Sequence, residues 1–360
     1  MASSPYASPL GRLKAQFPTF LTAEQIRSLG GAADVADIAK LLEGGPYTAA
    51  LAQAATLYKG AQLLEVALNR VFVDRNRLAI ETSPFAGKPT VAAYLKRWDI
   101  QNLGLILSAK AEGRPLKEWE VFLVSSREIP AGLVAGTLTL DDLRALLPLP
   151  SVEAIVNAIV RYGYGAVLLP LVDEYGRTGD IFPLLHALDV QYYREVLDAA
   201  RLFQGDEWTV REFLRSEVDA RNALLLLKGK ATGLPAETVF SRFFEGGSFP
   251  RGTAEEQFNQ ARSVPDLAQA LEGAFPHVTD ATPRFESDQS LVAYETVLAR
   301  ERLRRELTRM RAFPLSLAII FTFLAQAEVE RDDLRRIVFS KVYGVPTSEL
   351  LPLLLRPQLG

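Results

Sequence analysis

The sequence predicts an all-α protein made of three similar helical domains, and three observations carry that prediction. A polar motif that begins at Trp98 occurs three times in constant register. A second motif, beginning at Asp34, precedes each copy at a nearly fixed distance. Apolar residues recur at helical spacing almost throughout, with strand character confined to residues 120–124 and a few isolated runs.

In the first motif, Asp99, Asn102, Lys110, Gly113 and Pro115 reappear 120 residues later as Asp219, Asn222, Lys230, Gly233 and Pro235. A third copy holds Glu330, Asp333, Lys341, Gly344 and Pro346, with an acid in place of the amide. Asp99, Asn102, Leu103, Ile106 and Lys110 fall at three- and four-residue steps, so they share one helical face. Gly113 is placed to stop that helix in the left-handed conformation, and Pro115 cannot continue it. Lys110 falls in the last turn, where the helix dipole favours a cation. An acid and an amide among apolar residues imply a face packed on a neighbouring segment, where any buried polar group needs a partner. The acid, amide or second acid, lysine and glycine of the three copies are therefore candidate structural residues.

Residues 21–26, Leu-Thr-Ala-Glu-Gln-Ile, read as a helix start, with Thr22 and Gln25 at capping-box spacing. The same cap recurs at residues 138–143. The second motif follows at residues 34–47, has a close counterpart at 263–276 and a weaker one at 151–159. The two motifs stand 65, 68 and 67 residues apart in the three copies, so whole units were repeated. Such units exceed the roughly 20–50 residue modules of solenoids, and each is expected to hold its own core. The expected domains are 1–130, 131–248 and 249–360, joined near 127–136 and 246–253, where Gly, Pro and Ser collect. Residues 49–73, 181–202, 209–227 and 290–311 read as long helices, and 82–89 and 277–285 as surface turns. The most membrane-like run, 313–327, contains Pro314 and Gln326 and falls short of the roughly 20 residues a spanning helix needs. It reads as a buried helix.

Composition removes several function classes. With 40 Lys+Arg against 43 Asp+Glu, the chain lacks the basic excess of a general nucleic-acid binder. The absence of cysteine excludes disulfides, thiol catalysis and Cys-ligated zinc, and fits the cytoplasm. No secretory signal begins the sequence. No phosphate loop or dinucleotide turn is present, and His186 and His277 stand alone without a metal-binding pattern. No Gly-x-Ser-x-Gly turn occurs, and the pairs Asp141-Asp142 and Asp332-Asp333 read as acids favoured at helix starts. No catalytic, cofactor or metal residue is expected. Residues 300–311 are basic on most of their circumference; they read as a solvated helix with Glu301 and Arg305 paired at i+4, with a grip on an anionic surface or an acidic protein as alternatives.

Trp98-Asp-Ile-Gln-Asn-Leu103 ending at Gly113, Leu42-Glu-Gly-Gly-Pro-Tyr47, and the threefold recurrence together resemble the C subunit of archaeal and bacterial V/A-type ATPases, equivalent to the eukaryotic V-ATPase d subunit. The resemblance covers essentially the whole chain. It implies three helical domains around a pseudo-threefold axis, forming a funnel that sits on the membrane rotor ring and receives the foot of the central shaft. It implies a non-catalytic subunit, one copy per complex, held at the membrane through the complex and coupling ATP chemistry to proton or sodium transport. One departure lies at Tyr6-Ala-Ser-Pro-Leu-Gly-Arg12, where Tyr-Ala is followed by Pro9, Gly11 and a single arginine instead of the two nearby arginines common in relatives. The competing readings are a soluble helical scaffold unrelated to rotary motors and a helical hydrolase with an unrecognised site.

Overall fold

A computed structural model describes residues 6–113, 135–203 and 205–359, and all regular structure among them is helical. Pro115, the 120–124 run and most of the expected 127–136 link lie outside the described residues. In chain order the α-helices are α1 Ala7–Gln16, α2 Ala23–Gly30, α3 Val35–Leu42, α4 Thr48–Ala54, α5 Gly60–Thr82, α6 Lys88–Ala111, α7 Leu140–Leu146, α8 Val152–Ile159, α9 Val172–Thr178, α10 Phe182–Ala200, α11 Trp208–Ala231, α12 Ala236–Phe240, α13 Arg251–Gln260, α14 Val264–Leu271, α15 Thr282–Asp288, α16 Val292–Arg311, α17 Ala318–Val342 and α18 Thr347–Leu350.

The short helices start where side-chain oxygens can take up free amides. Thr22 and Gln25 form a reciprocal capping box on α2, and Thr139 and Asp142 do the same on α7. Asp34, Ser151 and Ser263 cap α3, α8 and α14, each accepting from the amide three residues on. Pro9 falls in the first turn of α1, where its missing N–H costs no helical bond, so the departure at the N-terminus is compatible with a helix there.

Two sequence expectations are corrected, and a third, the buried helix at 313–327, holds with a later start. Residues 49–73 do not form one helix: α4 ends at Ala54, and α5 begins at Gly60, which has φ +58 after an extended Lys59. Residues 277–285 are not a surface turn; Val278, Ala281 and Phe285 are buried by a 3-10 turn and by α15. The 313–327 run becomes helical only at Ala318, beyond Pro314, and from there to Ala327 every residue is buried.

Three long helices, α6, α11 and α17, carry the three copies of the first motif, and three others, α5, α10 and α16, pack against them. The pairs are α6 with α10, α11 with α16, and α17 with α5. The N-terminal ends of the motif helices converge. A Cβ at Gly87 would run into Leu317, Thr90 donates to the Ala199 carbonyl at 3.0 Å, and the rings of Tyr94, Phe213 and Phe321 lie 5.0–6.3 Å apart. Their C-terminal halves part. Leu103, Ile106 and Leu107 pack with α7 and α8 residues, Leu226 and Leu227 enter a core with α13 and α14, and Leu334, Ile337 and Val338 enter a core with α2–α5.

Candidate functional site

The motif acids lie where the chain enters α2, α7 and α13. Asp99 accepts from the Thr137 amide and hydroxyl, both at 2.7 Å, from the Leu138 amide at 3.1 Å and from the Tyr164 hydroxyl at 2.8 Å. Asp219 accepts from the Ser248 amide at 2.8 and 3.0 Å and from the Phe249 amide at 2.9 Å. Glu330 accepts from the Leu21 amide at 2.5 Å, the Tyr47 hydroxyl at 2.6 Å and the Arg75 guanidinium at 2.6 Å. Glu330 thereby ties the end of the chain to its beginning. Burial raises the Tyr47 phenol well above its ordinary value, and the neighbouring Glu330 carboxylate adds to that, so Tyr47 remains a donor.

The lysines reach the other ends of the same short helices. Lys110 donates to the Leu147 carbonyl at 3.5 Å, Lys230 to those of Phe258 and Ala261 at 2.6 and 2.9 Å, and Lys341 to that of Gly30 at 2.8 Å. A cation beside these terminal carbonyls complements the helix dipole. Asn222 exchanges two bonds with the Phe244 backbone, and Asp333 accepts from the amides of Leu355 and Arg356; Asn102 is likewise buried. Gly113, Gly233 and Gly344 close their helices at φ +64, +66 and +68.

Gly136 and Gly247, which lie outside the recurring motifs, let the short aspartates approach: a Cβ at either would collide with Asp99 or Asp219. No glycine precedes Leu21, where Thr19 and Phe20 stand, and the longer Glu330 spans the extra distance. The substitution of Glu for Asp in the third copy therefore has a steric account.

Between the parted halves of α6, α11 and α17 lies a cavity of about 960 Å³. Arg97 and Glu328 line its floor, with Glu217 paired to Arg97 behind them; all three stand two positions before a motif acid. Arg97 pairs with Glu217 and lies 3.4 Å from Glu328, while Tyr193 and Tyr94 donate to these carboxylates at 3.0 and 3.1 Å. Burial pushes the Glu328 carboxyl up, whereas at Glu217 the opposing effect of burial is outweighed by Arg97, Arg302 and Arg221, which hold it below the usual range. One turn above stand Gln101, Arg221 and Asp332, with Arg221 on Asp189 at 3.0 Å and Asp332 on Arg331 at 3.1 Å. Asp332 and Asp333 are thus mid-helix residues facing the cavity and a clasp, and not helix-start acids. The floor triad was legible only as a fixed offset from the motif.

Charges in this region pair with one another: Arg97 with Glu217 and Glu328, Arg221 with Asp189, and Arg331 with Asp332. Among the described residues no cluster of acids and histidines could hold a metal ion. His186 packs on Phe182 and Phe244, burial lowering its pKa, and His277 lies beside Asp280 at 3.6 Å. The basic helix α16 departs from expectation: Glu301 binds Arg300 and Arg304, while Arg305 and Arg309 turn to the buried Glu306, so the Glu301–Arg305 pair does not form. Glu306 is buried away from solvent and attracts both arginines.

The family model described as ATP synthase (C/AC39) subunit matches residues 9–351. The chain belongs to that family. Its relatives include the C subunit of the A-type ATP synthase of Thermoplasma acidophilum, 35% identical over 95% of this chain and 96% of the relative. The corresponding protein of Thermoplasma volcanium is 33% identical over 97% and 98%, and that of Methanocaldococcus jannaschii 24% identical over 98% and 86%. Among the described residues no helix is long and apolar enough to cross a membrane.

Proposed function

We propose that the chain is the non-catalytic socket of a rotary A/V-type ATPase, coupling a central shaft to a membrane rotor ring. The observation that carries this is the cavity of about 960 Å³ bounded by the three motif helices, open where they part and closed by a charged, aromatic floor where they meet. Three units, 1–130, 131–248 and 249–360, would surround a pseudo-threefold axis, each motif helix clasping a short early helix of the next unit (α7, α13 and α2) and Glu330 closing the circle. A socket that transmits torque must not shear between its units, and buried clasps at both ends of α2, α7 and α13 oppose that motion. A shaft tip entering the open end meets Phe339 and Tyr343 beside Arg335 and Arg336, an amphipathic wall suited to a protein end. One copy per motor follows from a single internal socket, and ATP chemistry and ion movement belong to other subunits.

The test is depletion and reconstitution in native membranes. Removal of this chain should leave ATP hydrolysis by the catalytic head possible but uncoupled from ion pumping, and adding it back should restore the coupling. Depleted membranes that still pump at the normal ion-to-ATP ratio would refute the socket.

A further inference from the structure

The basic helix α16 carries more charge than the socket and the clasps use. Residues 300–311 hold six arginines against two glutamates, in a chain whose net charge is −3. Beside them lies a cavity of about 500 Å³, framed by α11, α16 and the loop at 274–276, and none of its lining residues lines the socket. Ala220, Phe275 and Leu298 form an apolar wall, on which Phe275 is held edge-on to Phe249 at 5.2 Å. Arg302, Arg304 and Arg305 form a cationic wall. The half-exposed Arg304 and Arg305 pair with Glu301 at 2.6 Å and with Glu306 at 2.9 Å, and a guanidinium with five N–H donors can bind a second acceptor as well. Arg302 is different: its Nη1 is buried and has no hydrogen-bond acceptor among the described residues, the Glu217 carboxylate standing 4.0 Å away. A buried donor without an acceptor is costly and rare in a folded protein.

We infer that this cavity is a docking site for an acidic segment of a protein partner, which places a carboxylate on Arg302 and a neighbouring large apolar side chain against Phe275 and Leu298. The inference is independent of the socket reading. Shape and charge together select the occupant. Arg302 lies between two helices with its donor buried, so a protruding side chain reaches it and a flat anionic bilayer does not. The Glu301 carboxylate also lines the cavity, which disfavours a phosphate dianion more than a single carboxylate. A carboxylate matches the fork of a guanidinium, and the apolar wall favours a segment that holds acidic and apolar residues together over a purely acidic one. The local excess of arginine on a chain of negative net charge steers such a segment to this flank in preference to the rest of the surface.

Fluorescence anisotropy of the full chain with a labelled peptide, three repeats of Glu-Leu-Glu-Glu-Phe, tests the site. The unmodified chain should bind it at least about 10-fold tighter than the same peptide with glutamine for glutamate, or with alanine for leucine and phenylalanine. Arg302→Gln should weaken binding at least about 10-fold, the loss of one charge-assisted bond. Because Arg302 also faces Glu217, a second variant guards against a folding defect. Thr308→Trp covers the cavity from an exposed position whose hydroxyl bonds to the Arg304 carbonyl of its own helix, and should weaken binding to the same degree while keeping the helical spectrum. Arg77→Gln, which removes an arginine on α5 about as exposed as Arg304, should change nothing. Equal affinity for the glutamate and glutamine peptides, or unchanged binding by Thr308→Trp, would overturn the site. Displacement of the peptide by millimolar inorganic phosphate, or tighter binding to phosphatidylglycerol vesicles that Thr308→Trp weakens, would overturn the acidic protein segment as its occupant.

Discussion

Glu330→Ala tests whether the chain's two ends are held by a single buried carboxylate. Glu330 is fully buried, and its removal leaves the buried Arg75 without a counter-charge and the Leu21 amide and Tyr47 hydroxyl without their acceptor. Breaking a buried ion pair by deleting one partner costs about 3–5 kcal/mol, and an orphaned buried amide about 1–3 kcal/mol. Arg75 retains the Thr19 carbonyl at 3.2 Å and stacking over Phe20 at 4.1 Å, so the expected loss is about 4 kcal/mol, at the lower end of that combination. Urea unfolding followed by circular dichroism gives the total, and a double-mutant cycle with Arg75→Ala should return a coupling of about 2 kcal/mol or more. Hydrogen exchange locates the effect: protection should fall in α2–α4 and stay unchanged in α14, which Glu330 does not touch. A loss under about 1 kcal/mol, additive single variants, or equal deprotection of α2 and α14 would refute the clasp.

Gly113→Ala, Gly233→Ala and Gly344→Ala should each cost about 1–2 kcal/mol in thermal unfolding; open space surrounds all three, so the cost is backbone conformation alone. Burial raises Asp333 from 3.8 to about 6 against the pull of the Leu355 and Arg356 amides, so the folded state retains a proton that the unfolded chain has released. Stability should therefore fall as pH rises from about 4 to about 6, and Asp333→Asn should remove that slope in pH-dependent unfolding. Arg97→Met leaves Glu217 and Glu328 facing each other and should destabilise by about 3–5 kcal/mol, more at pH 8 than at pH 5; an unchanged melting temperature would dismiss the floor triad. Calorimetric titration of the purified chain with Mg-ATP should show no saturable site, and micromolar binding would revive an enzymatic reading.

The parts legible in the sequence are those governed by local rules. Thr22, Asp34, Ser151 and Ser263 announce their helix starts because a cap needs only one oxygen three residues from an amide. The motif helices are legible because apolar spacing and a closing glycine are short-range signals. Partners were not legible. Nothing in the spacing of Asp99 or Glu330 reveals that one finds two backbone amides and the other an arginine 255 residues away. The Glu301–Arg305 expectation failed for the same reason: i+4 geometry favours that pair in isolation, but the fold buries Glu306 and draws Arg305 towards it.

The contrast between the clasps and the floor has one physical cause. At a clasp, each copy of the motif meets a different stretch of chain, so three acids can do the same work without seeing one another. At the floor the copies meet each other, and three identical charges converging in a buried space would repel with no solvent to screen them. One position must change sign. Arg97 against Glu217 and Glu328 is that change, Tyr94 and Tyr193 supply donors for the two carboxylates, and Arg302 at 4.0 Å from Glu217 offsets the remaining negative charge. One turn higher the same positions hold Gln101, Arg221 and Asp332, which are neutral, cationic and anionic and so again differ from one another. The recurring motif residues are therefore alike where they grip the short helices, while the residues two positions before them, and those one turn above, differ where the long helices face each other.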